Sequence, residues 1–221
     1  MFSKRVSGDT GSPGLSVYAR VLGDDFGALD PQLQTYFGPI PEGFLGVGSG
    51  RYRVAGLRVR ALRPLFAVLA WRGIAFAEYG TDVPFTVRNV SHPDGTLSAV
   101  RTFDFANRTR AMRDAMRVDG GRLVDRIGTR GEIEVELAMR VSDGRLRMES
   151  GRLAVRLLGL RVPLPPVLRV QLTEQALPAG AQRVDLRMFA PVIGEIYGYS
   201  GDFTYEVRRD EESLEEPGVS S

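Results

Sequence analysis

The chain has 221 residues, 43% hydrophobic and 25% charged, with no cysteine and a single histidine. This length suits one domain able to bury a real core. The composition excludes a disulfide framework, cysteine-ligated zinc, a thiol nucleophile, iron–sulfur clusters and a histidine-rich metal site. The net charge of +2 is unevenly spread: 29 basic residues face 22 acids before residue 210, and Asp210, Glu211, Glu212, Glu215 and Glu216 cluster in the tail. All the basic residues but Lys4 are arginines, spaced singly among apolar neighbours as solvent-facing strand positions would be, and not gathered into the stripe a nucleic-acid binder uses.

The first 14 residues and residues 210–221 read as disordered ends around one globular domain over 15–209. The start, MFSKRVSGDTGSPG, lacks the apolar run of a secretory signal, which makes a cytoplasmic location the expectation. Ser16 is placed to cap a helix over VYARVL that ends at Gly23. Asp30 followed by Pro31 caps a second over QLQTYF, closed by Gly38. Both helices are short, so Val17, Leu22, Leu29, Leu33 and Phe37 need another surface to bury against. GVGSG at 46–50 is rich in glycine but lacks the Lys-Ser/Thr ending of a phosphate loop and leads into a strand, so it reads as a flexible entry.

From about residue 46 the hydrophobic period moves towards two, and about ten strand-like segments follow. Asp94-Gly95, Asp119-Gly120 and Asp143-Gly144 punctuate them as hairpin turns. Residues 61–72, ALRPLFAVLAWR, interrupt the series with helical spacing at Leu62, Leu65, Phe66, Leu69 and Trp71, and Pro64 fits only a first turn. That segment reads as a helix covering a sheet face or barrel mouth, or as a lid that opens for an apolar ligand or touches a membrane surface. PLFAVLAW, the longest uncharged apolar stretch, is too short to span a bilayer. LGLRVPLPPVL and APVIGEIYGYSG read as irregular backbone, with bends or bulges at their prolines and glycines. The fold class that follows is mainly β (α+β): a strongly curved antiparallel sheet or partly closed β-barrel of about ten strands, with short N-terminal helices and one covering helix.

YARVLGDDFGALDPQLQTYFGPIPEG, LLGLRVPLPPVL and FAPVIGEIYGYSG together resemble an uncharacterised bacterial domain-of-unknown-function family over about residues 18–205. The resemblance rests on Tyr18, Leu22, Gly23, Phe26, Leu29, Leu33, Gly38, Pro163, Leu164, Pro165, Pro191, Gly194, Tyr199 and Gly201. It implies a domain that stands alone or joined to saccharopine-dehydrogenase-like or epimerase-like domains, and brings no function with it. Relatives carry histidines where this chain has Phe37 and Gly198, so chemistry built on those histidines does not transfer.

His92 precedes Pro93-Asp94-Gly95 and reads as a hairpin-tip residue, since a general base wants a walled site and an orienting partner. Carboxylates remain. Glu195 lies in an uncharged run and Asp104 between two phenylalanines; each either turns outward to pair with an arginine or serves a site. The sharper expectation puts Glu195 or Asp125 in a barrel interior with Arg101 and Tyr199, where they orient the polar head of an apolar ligand, with Phe66 and Trp71 on the covering segment. The leading function is thus a binding module for a lipid-like or other apolar small molecule, without catalysis or cofactor. An accessory interaction domain for a reductase- or epimerase-type partner is the alternative. A third reading is a cofactor-free acid/base enzyme using Glu195, Asp104 or Asp125. Neither nucleic acid nor a metal is expected as a partner.

Overall fold

A computed structural model describes residues 14–157, 159–165 and 167–210. The expected disordered ends fall almost wholly outside these residues; Asp210 falls within them and accepts a bond from Arg88 at 3.0 Å. Ser16 Oγ accepts from the Ala19 amide to start α1 (Val17–Leu22), and Asp30 accepts from the Gln32 amide to start α2 (Pro31–Tyr36). A short 3-10 stretch over Gly23–Ala28 joins the two.

Eleven strands follow: β1 (Phe44–Leu57), β2 (Tyr79–Ser91), β3 (Leu97–Phe105), β4 (Arg108–Asp119), β5 (Arg122–Ile127), β6 (Ile133–Ser142), β7 (Arg145–Leu157), β8 (Leu160–Leu164), β9 (Arg169–Ala176), β10 (Ala181–Ala190) and β11 (Gly194–Arg209). A helix, α3 (Arg63–Trp71), sits between β1 and β2 with Pro64 in its first turn. Every pairing is antiparallel. The sheet runs β6-β5-β4-β3-β2-β1-β11-β10-β9-β7, and β6 pairs with β7 to close a ten-strand barrel, leaving β8 as an extra strand on β7. The fold is therefore a closed barrel, with no free edge along the ring.

Turn chemistry sets the hairpins. Asp143 and Gly144 both have positive φ, 52° and 70°, which matches the right-handed twist of the strands they join. Between β4 and β5 the same turn falls on Gly120 and Gly121. Residues 46–50 are regular strand and not a flexible entry. Gly46, Gly48 and Gly50 are the successive inward positions of β1, and their missing side chains leave room for Tyr205, Val87 and Phe203. A Cβ on Gly50 would lie 2.2 Å from the Asp202 carbonyl oxygen, which is backbone and cannot swing aside. Gly50→Ala is expected to lower stability by roughly 3 kcal/mol, read from the urea midpoint. An unchanged midpoint would mean that β1 and β11 can separate locally.

Of LGLRVPLPPVL, expected to be irregular, residues 165, 167 and 168 lie outside any strand, while residues 160–164 are paired strand, with Pro163 of β8 opposite Ala154 of β7. Such a proline is tolerated on an outlying strand that needs to donate on one side only. The APVIGEIYGYSG stretch likewise becomes regular strand from Gly194, apart from one bulge. Met188 faces Tyr197 while Phe189 faces Glu195, so Ile196 is the extra residue. A second bulge on β1 leaves Arg53 without a counterpart between Tyr52 and Val54. Each bulge reverses which side of the sheet the following residues point to.

Two apolar cores fill the barrel. Tyr52, Phe76, Phe85, Phe103 and Tyr197 gather beneath α3, while Leu33, Phe37, Met116, Leu123 and Leu146 gather beneath α1 and α2. The inward positions of β3 run Leu97, Ala99, Arg101, Phe103 and those of β4 run Met112, Asp114, Met116, so a polar layer lies between the two cores. Outside, arginines meet acids across neighbouring strands, as Arg51 does with Asp82 and Arg183 with Asp202, both two-pronged at 2.6 and 2.7 Å. Exposed pairs of this kind each contribute about 0–1 kcal/mol and explain the dispersed arginines as a solvated face.

Candidate functional site

The polar layer is built from diagonal neighbours on adjacent strands. Arg101 on β3 faces Met112 on β4, and its guanidinium reaches one position further to bond the Asp114 carboxylate. Glu174 on β9 faces Val184 on β10 and accepts at 2.8 Å from the Gln182 amide, again one position along. Asp125 on β5, opposite Met116, adds a third buried acid. Arg101, Glu174, Tyr36, Tyr52, Tyr199 and Phe203 surround a residual cavity of about 20 Å³, room for a single water molecule. The Arg101 side chain is 19% exposed, in keeping with its place on that cavity wall.

Charge in this layer is controlled by burial. Desolvation pushes Glu174 up to about 8, against the opposing pull of Gln182 and Arg101. The same cause carries Asp125 well above the carboxylate range, helped by its like-charged neighbour Asp114. Burial raises Asp114 as well, but the guanidinium bonded to it favours its ionised form, so of these two acids Asp114 carries the charge. Tyr199 is pushed up to about 12 by burial and stays neutral. Burial thus favours the protonated forms of Glu174 and Asp125, and the Arg101 guanidinium favours the carboxylate of Asp114. The Oδ2 of Asp114 and the Oδ1 of Asp125 have no partner among the described residues.

Of the residues expected at the site, Arg101, Asp125 and Tyr199 come together inside. Phe66 is buried too, but its ring stacks on Tyr197 at 5.5 Å in the apolar core beneath α3. Two others lie apart from this layer. Glu195 points away from the interior, because the bulge at Ile196 reverses its side relative to Tyr197, and it pairs with Arg58 at 2.5 Å. Trp71 is 78% exposed: Phe66 and Leu69 of α3, with Leu62 just before it, face inward, while Leu65, Val68 and Trp71 face out. Asp104 is exposed and accepts from Thr109 at 2.8 Å. His92 sits at its hairpin tip, 2.8 Å from the Ser98 hydroxyl.

Asp114, Glu174, Gln182 and Tyr36 complete the layer and were not expected there. The signal for the two acids is parity, since Asp114 alternates in step with Met112 and Met116, and Glu174 with Leu172 and Ala176. Tyr36 closes the cavity from α2, its ring 5.6 Å from Phe203 and 4.7 Å from Tyr205. Among the described residues no group of acids or histidines is arranged to hold a metal ion, and no helix is long and apolar enough to cross a membrane. A family model described as a domain of unknown function (DUF4166) matches residues 29–203. No curated protein and no solved structure matches the chain.

Proposed function

The chain belongs to that domain-of-unknown-function family, and from this premise we propose that it is a non-catalytic binding module whose barrel interior takes a lipid-like or other apolar small molecule with an uncharged polar head. One observation carries the reading: Asp114, Asp125 and Glu174 are buried, two of them with unpartnered oxygens, and Arg101 and Glu174 face a small cavity walled by aromatic rings. Such groups add little to stability compared with well-packed apolar side chains, so their presence supports recognition of a ligand. Because burial raises both Asp125 and Glu174, their protonated forms suit a carbonyl or hydroxyl head better than a carboxylate. The resting cavity is far smaller than such a ligand, so entry requires Tyr36 to withdraw with α2. Helices of six residues owe their stability to packing, which suits α1 and α2 to that movement.

The near-full interior favours a second reading, an accessory interaction domain for a reductase- or epimerase-type partner. Native mass spectrometry of protein purified from its own host, followed by organic extraction, separates the two. A stoichiometric apolar compound, lost in a variant that empties the polar layer, is the result expected. An empty protein that also shows no thermal shift with a panel of neutral lipids would overturn the binding module and leave the interaction domain.

A further inference from the structure

The exposed apolar side chains are gathered at one end of the barrel. Of the ten large hydrophobic residues that are exposed among the described residues, nine lie at the end formed by the last residues of β1 and β10 and the first of β2 and β11, and Leu15 lies at the other. They stand on separate protrusions: Leu65, Val68 and Trp71 on the outer face of α3, Val192 and Ile193 on the β10–β11 turn, and Leu160 where β8 leaves β7. A protein partner of fixed shape is best met by one continuous patch, whereas a bilayer interface yields around several projecting tips.

The segment that carries α3 is basic as well. Residues 58–77 contain four arginines and no acid. Arg72 is bonded to Glu132 and Arg58 to Glu195, while Arg60 and Arg63 are exposed and have no acidic partner among the described residues. Arg58, Arg60 and Arg63 line a groove of about 480 Å³ together with Leu57, Ala77 and Tyr79, at the foot of the apolar face of α3. Guanidinium groups match phosphate oxygens two at a time, and tryptophan beside them favours the headgroup level of a membrane.

We propose that the α3 end of the barrel is a docking surface for an anionic phospholipid bilayer, with Arg60 and Arg63 on lipid phosphates and Trp71, Val68 and Leu65 entering the interface. The contact is peripheral and needs nothing of the barrel interior. It therefore stands or falls apart from the ligand reading.

The test uses the full chain with vesicles of phosphatidylcholine alone and of phosphatidylcholine mixed with phosphatidylglycerol. Trp71 is the one tryptophan in the chain, so its emission reports directly on this surface. Co-sedimentation and a blue shift of Trp71 emission are expected with the anionic vesicles only. Arg60→Glu combined with Arg63→Glu should weaken binding at least about ten-fold, and Trp71→Ala should weaken it with thermal stability unchanged. Arg145→Glu, exposed at the start of β7 at the opposite end, should bind as wild type. Absence of binding to anionic vesicles overturns the proposal. So does equal loss with Arg145→Glu, which would mark attraction by overall charge. Saturable binding of inorganic phosphate without vesicle binding, or capture of a protein partner through intact Trp71 in place of vesicles, overturns it equally.

Discussion

Replacing Glu174 by glutamine is expected to make the barrel more stable at pH 8 by roughly 4 kcal/mol while changing little at pH 4.5. Inside the folded barrel Glu174 keeps its proton up to about 8; in the unfolded chain it ionises above its ordinary value of 4.5. Between these limits unfolding releases a proton, so a rising pH favours the unfolded chain. The contribution is fully present below pH 4.5 and is lost as the pH climbs towards 8. Glutamine retains an oxygen for the Gln182 amide but has no proton to release. Asp125, raised by the same burial, acts in the same direction. Acids on the outside work the other way: Glu134 and Asp202 are held low by arginines and lose their contribution only as acid protonates them. Wild-type stability should therefore peak on the acid side of neutrality. Urea unfolding of both proteins at pH 4.5, 6, 7 and 8 checks this, and parallel curves would show that Glu174 is as well solvated folded as unfolded.

Arg101→Met should cost about 3–5 kcal/mol near neutral pH, because it strands the Asp114 carboxylate in the interior without its counter-ion. The loss should be greater at pH 8 than at pH 5, since at the lower pH Asp114 can take up a proton. Arg101→Met combined with Asp114→Leu should recover most of the stability, as apolar replacements of buried ion pairs commonly do. A cost below about 1 kcal/mol for the single change would mean that the guanidinium is hydrated through the cavity. The double variant also tests whether a bound ligand needs the ion pair, because it removes Arg101 and Asp114 while Glu174, Gln182 and Asp125 stay in the layer.

Much of this architecture is written locally. Ser16 and Asp30 cap their helices through bonds to residues two and three positions away, Pro64 sits where a first turn tolerates it, and the Asp-Gly turns identify hairpins whose strands are a few residues apart. Closure is not local. Residue 44 pairs with residue 209, and no pattern within either strand names the other. The interior was partly legible for the same reason. Alternation carries Arg101 inward with Phe103, and Asp114 inward with its flanking methionines, but an observer who sends every charge outward assigns those strands the wrong way round. Glu195 shows the opposite failure: alternation with Tyr197 and Tyr199 points it inward, and one extra residue at Ile196 turns it out. Bulges arise from the curvature of the whole barrel, which a ten-residue window does not contain.

The pairing of β1 with β11 also sets the order of events during synthesis. The first strand leaves the ribosome with its inward glycines and its unpaired edge exposed, and it acquires its second neighbour only after about 150 further residues have been made. The hairpins can form as they emerge, but the ring cannot lock until translation of the domain is essentially complete. Long-range closure of this kind slows folding, because chain entropy is spent before the contacts that offset it are made. During that interval the open β1 edge is a template for any other nascent strand. Chaperone demand should therefore track the lifetime of this seam and not the stability of the finished barrel.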